Sequence, residues 1–113
     1  MNQIDSILEK ILEFRDQRDW KQFHTTENLA KSIAIEAGEL LEHFQWGDAY
    51  DEEALKDEIA DVLIYAFLIA NSIDADIEKM MLDKVERNKS RFPVELVKGN
   101  SGKHLKKHKK TGL

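Results

Sequence analysis

The longest apolar run in the chain, Val62 to Ala70, is nine residues. A bilayer needs about 20 such residues in a row, so this stretch must be covered by protein and belongs to a buried helix. Glu58 and Asp61 stand on the turn leading into it. On a helix advancing about 100° per residue, Glu58 lies within roughly 60° of Leu55, Val62, Tyr65 and Ile69. An ionised acid held on that face without a partner costs several kcal/mol.

A second acid pair, Glu36 and Glu39, repeats the problem. Glu36 falls within roughly 60° of Leu29, Ile33 and Leu40 on its own helix. Within each pair the carboxylates are three residues apart, about 5 to 6 Å on one helix face, where they repel. Four such groups brought together call for a cation. An all-oxygen donor set is hard and favours Mg²⁺, with Mn²⁺ as a substitute, over zinc or copper. The expectation is a magnesium site built from two neighbouring helices, with the bland alternative being solvated Glu-x-x-Glu spacing of the kind many helices carry.

The rest of the chain reads as a helical frame. Ile4, Ile7, Leu8, Ile11, Leu12 and Arg15 recur at helical spacing over residues 3–17, the first helix. Arg18, Asp19, Trp20, Lys21, Gln22, Phe23 and His24 form an ordered connection whose aromatics should pack on the core or on a planar ligand. Thr26 is the expected N-cap of a second helix reaching about Trp46, with Gly47 as its stop. Asp51 caps a third helix continuing to about Asn71, expected to be the central and most enclosed element from Val62 onward. A fourth helix, capped by Asp74, stops before Pro93. Its face runs Ile77, Met81, Lys84, Asn88, Arg91, apolar first and then polar. Beyond Pro93 periodicity is lost. No internal repeat and no strand pattern occurs.

At 113 residues, 42% of them hydrophobic, the chain is expected to form one domain over residues 1–95, followed by a lysine-rich, mobile tail over residues 96–113. From Lys98 onward there are six lysines and no acids, so a body of net charge −11 precedes a tail of +6. An acidic body argues against stable nucleic-acid binding. No apolar span long enough for a membrane occurs. The absence of cysteine removes thiolate sites and suits a reducing cytoplasm, the expected location.

With acid pairs, basic residues on the fourth helix and aromatics in the connector, a phosphorylated, planar substrate is the natural partner. At this point the sequence resembles the all-α nucleoside triphosphate pyrophosphohydrolases, the MazG-like superfamily, and within it the small branch similar to dCTP pyrophosphatases. The residues carrying the resemblance are Arg18 to His24, Asn28 and Leu29, Glu36 to Leu40, Phe44 to Trp46, Glu58 to Tyr65, then Lys84, Asn88 and Arg91 to Pro93. The resemblance implies a four-helix bundle assembled as a homodimer or homotetramer, with Glu36, Glu39, Glu58 and Asp61 binding Mg²⁺. It places Trp20, His24, Asn28, Trp46 and Tyr65 at a base pocket, and Lys84, Asn88 and Arg91 near the triphosphate or the pocket wall.

The implied reaction is hydrolysis of a nucleoside triphosphate to monophosphate and pyrophosphate. The favoured substrate is dCTP or a modified dCTP, then dATP, for nucleotide pool control or house-cleaning. Two other readings compete. A non-catalytic, nucleotide-binding helical module would keep the pocket without the turnover. A di-iron or di-manganese carboxylate bundle would need Glu-x-x-His, and no histidine in this chain has a glutamate three positions before it.

Overall fold

A computed structural model describes residues 2–100. The lysine-rich stretch expected to be mobile lies, from residue 101 onward, outside the described residues. The structure is all-α: α1 Gln3–Gln17, a single 3-10 turn Lys21–Phe23, α2 Thr26–Glu42, α3 Glu52–Ser72, α4 Ile77–Arg91 and a short α5 Val94–Val97. No helix among the described residues is long and apolar enough to cross a membrane. The chain divides into two compact units, Met1–Ile77 and Glu78–Leu113.

In the first unit, α2 and α3 run antiparallel. At one end the Thr26 and Ser72 hydroxyls meet at 2.8 Å, and at the other Glu36 faces Glu58 and Asp61. Leu29, Leu68, Ala70 and Ile77 are the buried apolar residues among the described residues. They cluster toward the Thr26–Ser72 end. The starts of α1, α2 and α3 are each satisfied by a side-chain oxygen: Asn2 accepts from the Asp5 amide, Thr25 from the Asn28 amide and Asp51 from the Ala54 amide.

Helices α1 and α3 end in the same way. The Trp20 amide donates to the Arg15 carbonyl and the Asp19 amide to that of Asp16, while Asp19 takes a positive φ of 55°. At α3 the Ala75 amide reaches the Ala70 carbonyl and the Asp74 amide that of Asn71, with Asp74 at φ 56°. These are Schellman endings with aspartate at the left-handed position that glycine usually fills. The connector expected between the first two helices is therefore an ordered reversal, further tied by Gln22 Nε2 donating to the Asp19 carbonyl.

Several boundaries differ from expectation. The N-cap of α2 is Thr25, not Thr26, and α2 ends at Glu42, short of Trp46. Successive i to i−3 bonds from His43, Phe44 and Gln45 tighten the chain into turns there. Asp74 does not cap α4, because its left-handed backbone is spent closing α3. Order persists beyond Pro93, where α5 makes one further turn. Helix α3 is less enclosed than its composition suggests: it is half-buried or buried from Tyr65 to Asn71, but Leu63 and Ile64 are exposed.

In the second unit, α4 presents Lys84, Asn88 and Arg91 as half-buried residues at the spacing read from sequence, while Met81 is exposed. Its exposed side carries local ion pairs such as Lys89–Glu86 at 2.8 Å, each worth a few tenths of a kcal/mol, roughly, by general experience.

Candidate active site

One carboxylate oxygen from each of Glu36, Glu58 and Asp61 falls within 4.8 Å of the others. Helix α2 supplies the first and α3 the other two, so the cluster exists only because the antiparallel pair is in this register. Glu36 and Glu58 are half-buried, and each keeps its Oε2 closed to solvent with no hydrogen-bond partner. Buried acceptors are nearly always satisfied, so two orphaned ones side by side mark a place where something else donates or binds.

Glu39, one turn along α2, is exposed and sits beside Glu36 and Glu58. The adjacent Glu58 carboxyl holds Glu36 above the ordinary carboxylate range, since the pair favours sharing a proton; burial and the charges of Glu58 and Asp61 act in the same direction. Glu36 does the same to Glu39, first as a carboxyl close enough to share its proton and then through its charge. A hard divalent cation removes this repulsion, and the all-oxygen set with its two orphaned Oε2 atoms fits Mg²⁺ or Mn²⁺.

A cavity of about 550 Å³ opens from Asp61 along the groove between α1 and α3. Phe14, Arg15, Trp20, His24 and Tyr65 line it with Asp61. Leu68 is also part of this wall, and the eight residues of α3 from Asp61 to Leu68 span about 10 Å, so the groove runs from Asp61 toward the connector. Trp20 is held there by its backbone bond to Arg15 and by an edge-on contact with Phe14 at 5.8 Å, while the Arg18 guanidinium covers the Phe14 ring at 3.7 Å.

A second, more polar cavity of about 350 Å³ adjoins the first and shares Arg15, His24 and Leu68 with it. Burial, and then the Arg15 charge, lower the His24 pKa, so its imidazole is neutral at pH 7. Its Nδ1 is enclosed and unpartnered.

The structure thus brings Trp20, His24 and Tyr65 to one cavity whose far end is the acid cluster. Asn28 is placed otherwise: its Nδ2 donates to the Phe23 carbonyl at 3.1 Å, so it ties the connector onto α2 and lines neither cavity. Trp46 lies in the turns after α2 and is 92% exposed, lining neither. Lys84, Asn88 and Arg91 belong to the second unit, where the Asn88 Oδ1 is enclosed without a hydrogen bond. Arg15 and Phe14 are lining residues that the sequence reading did not select. The signal for Arg15 was present, because a cation completed the apolar stripe of α1.

Residues 31–105 match the MazG-like family. Two proteins named dCTP pyrophosphatase 1, from Rattus norvegicus and Bos taurus, are 37% and 38% identical over 81% of this chain, which spans 60% of their length. The crystal structure of a pyrophosphatase from Archaeoglobus fulgidus superposes with a TM-score of 0.72 at 37% identity, covering 82% of this chain and 94% of that one. The chain belongs to the MazG-like family.

Proposed function

We propose that this chain, through a catalytic domain over residues 1–95, hydrolyses a deoxynucleoside triphosphate between its α- and β-phosphates, releasing the monophosphate and pyrophosphate. The observation that carries the reading is the convergence of Glu36, Glu58 and Asp61 at one end of a groove whose other end holds Trp20, His24 and Tyr65. Water adds to the α-phosphorus, the bond to the bridging oxygen breaks, and pyrophosphate departs. Glu36, Glu58 and Asp61 hold the cation, Mg²⁺ in our reading; when bound, it neutralises charge on the phosphate oxygens and the leaving group. Glu39, exposed and one turn from Glu36, orients the attacking water and takes its proton.

The Trp20 and Tyr65 rings receive the base. The names of the relatives favour dCTP or a modified dCTP, with dATP next. Self-association fits the same picture: Ile35 and Leu41 on α2 and Ile59 and Leu63 on α3 are 42 to 72% exposed, apolar surface that a second copy would cover.

The test is pyrophosphate release from a panel of canonical and modified nucleoside triphosphates with Mg²⁺, each product identified. Monophosphate plus pyrophosphate from one or two deoxynucleotides is the expected result. Bound triphosphate that is never cleaved would replace this reading with a nucleotide-binding module. Light scattering on the same preparation gives the oligomeric state.

A further inference from the structure

The second cavity, about 350 Å³, has no part in the reaction proposed above. It adjoins the groove through Arg15, His24 and Leu68, yet Phe14, Trp20 and Tyr65 line the groove alone, and the His24 imidazole is the only ring in the wall of the second cavity. A nucleobase would find little there to stack on. What this cavity offers is hydrogen-bond donors.

Arg15 is the one buried charged residue among the described residues, 8% exposed at the end of α1. Its Nε donates to Asp16 Oδ1 and its Nη2 stands 2.8 Å from the same oxygen, while Nη1 has no hydrogen-bond partner among the described residues. Lys21, on the 3-10 turn, lines the second cavity and not the groove, and it forms no ion pair among the described residues. His24 Nδ1 is enclosed and unpartnered. The Thr26 amide, first in α2, makes no hydrogen bond among the described residues.

The hydroxyls divide by proton count. Ser72 donates to the Ile69 carbonyl at 2.6 Å, so the Thr26 hydroxyl spends its proton on Ser72 Oγ at 2.8 Å. Thr25 Oγ accepts from the Asn28 amide and keeps its own proton for another acceptor. Among the lining residues two cations, Arg15 and Lys21, face one carboxylate, Asp74, in a body whose net charge is −11. Asp16 screens Arg15 from outside the lining, and the positive end of the 17-residue α2 adds to the edge left open.

We infer that this cavity binds a phosphate-type oxyanion, held by Arg15, Lys21 and the start of α2, at the end of the groove remote from the acid cluster. The donors stand on three segments, the end of α1, the 3-10 turn and the start of α2, which suits four oxygens set tetrahedrally better than the two of a carboxylate. Free phosphate and the phosphate group of a nucleotide present the same oxygens. Asp61 lies about 10 Å away along α3 from Leu68, so the site needs no metal.

The experiment is an NMR titration of the full chain with inorganic phosphate in EDTA at constant ionic strength, following the His24 imidazole, identified by its loss in His24→Gln. The Arg15 charge helps to lower the His24 pKa, so an oxyanion seated on Arg15 moves the His24 titration to higher pH. A saturable shift is expected in the wild type. In Lys21→Gln, at an exposed position that leaves the groove intact, phosphate should bind about tenfold more weakly, the loss of one charge-assisted hydrogen bond.

The same shift with acetate or chloride, a requirement for Mg²⁺, or unchanged phosphate affinity in Lys21→Gln would each overturn the inference, as would no saturable shift in the wild type, which requires no variant to fold. A nucleoside monophosphate that displaces phosphate and outbinds it in a Lys21-dependent manner makes a nucleotide the source of the oxyanion; equal affinity makes it the free ion. None of these measurements involves turnover, so the proposed activity stands or falls separately.

Discussion

The two ends of the antiparallel α2–α3 pair are built on opposite terms. At the Thr26–Ser72 end, Leu29, Leu68 and Ala70 are buried, the hydroxyls bond to each other, and the chain reverses through a satisfied Schellman turn. At the other end, three carboxylate oxygens crowd within 4.8 Å, the buried Oε2 atoms of Glu36 and Glu58 lack partners, and Ile35, Ile59 and Leu63 face outward uncovered. One end stabilises the pair, while the other gives up stability to hold charges that only a cation reconciles. Strain of this kind concentrates where chemistry is done.

The comparison breaks most visibly under substitution. Replacing Asp61 or Glu58 by alanine should lower turnover by at least about 100-fold, as loss of a group that holds transition-state charge does, while far-UV circular dichroism stays helical. Full activity in both variants, measured as pyrophosphate release, would remove the acid cluster from the chemistry. At the opposite end Leu68→Ala should cost about 2–5 kcal/mol, because the side chain is 4% exposed and leaves a cavity. A melting temperature within a degree or two of wild type would mean that this end does not hold the pair together.

Cation binding should sharpen the contrast. At a Mg²⁺ concentration one hundredfold above its dissociation constant the protein should gain about 2.7 kcal/mol, read as a rise in melting temperature. Glu36→Gln should lose most of that rise yet melt higher than wild type in EDTA, because one of the repelling charges is gone.

The pH dependence of the metal-free protein should separate the two ends further. Glu36 and Glu39 have raised pKa values in the fold, so in the window above their ordinary 4.5 the native state holds more protons than the unfolded chain. Their contribution falls as pH rises through those raised values. His24 is lowered from 6.5, so its contribution is complete above that pH and is lost as pH falls toward its folded value. Thermal melts of Glu36→Gln and His24→Gln in EDTA between pH 4 and 7.5 should therefore change slope in opposite senses. The smallest effect is at the turn: Asp74→Gly should gain roughly 0.5 kcal/mol by relieving a left-handed aspartate, offset in part by chain entropy.

Much of this was legible before any fold was in view. The acid pairs declared themselves because i, i+3 carboxylates sat on faces otherwise apolar, and Asp51 did so by preceding an acidic first turn. Asp19 and Asp74 were opaque for a local reason: a Schellman ending usually shows itself by glycine, and aspartate at that place reads as a helix cap instead. Trp46 is 92% exposed in the single chain, and its aromatic character says that it is valuable when covered but not which partner covers it.

Sequence by itself determined where the helices lie and that each acid pair shares a face, because both follow from a period of about 3.6 residues and from short-range capping. It also determined the chemistry of the donors, oxygen without sulfur. Only the tertiary structure decided that Glu36 meets Glu58 and Asp61, and that Arg15, outwardly the polar end of an apolar stripe, is buried over a groove with part of its fork unengaged. Those facts depend on the register of α2 against α3 and on the approach of α1, which are set by packing among residues distant in the chain and leave no periodic trace along it.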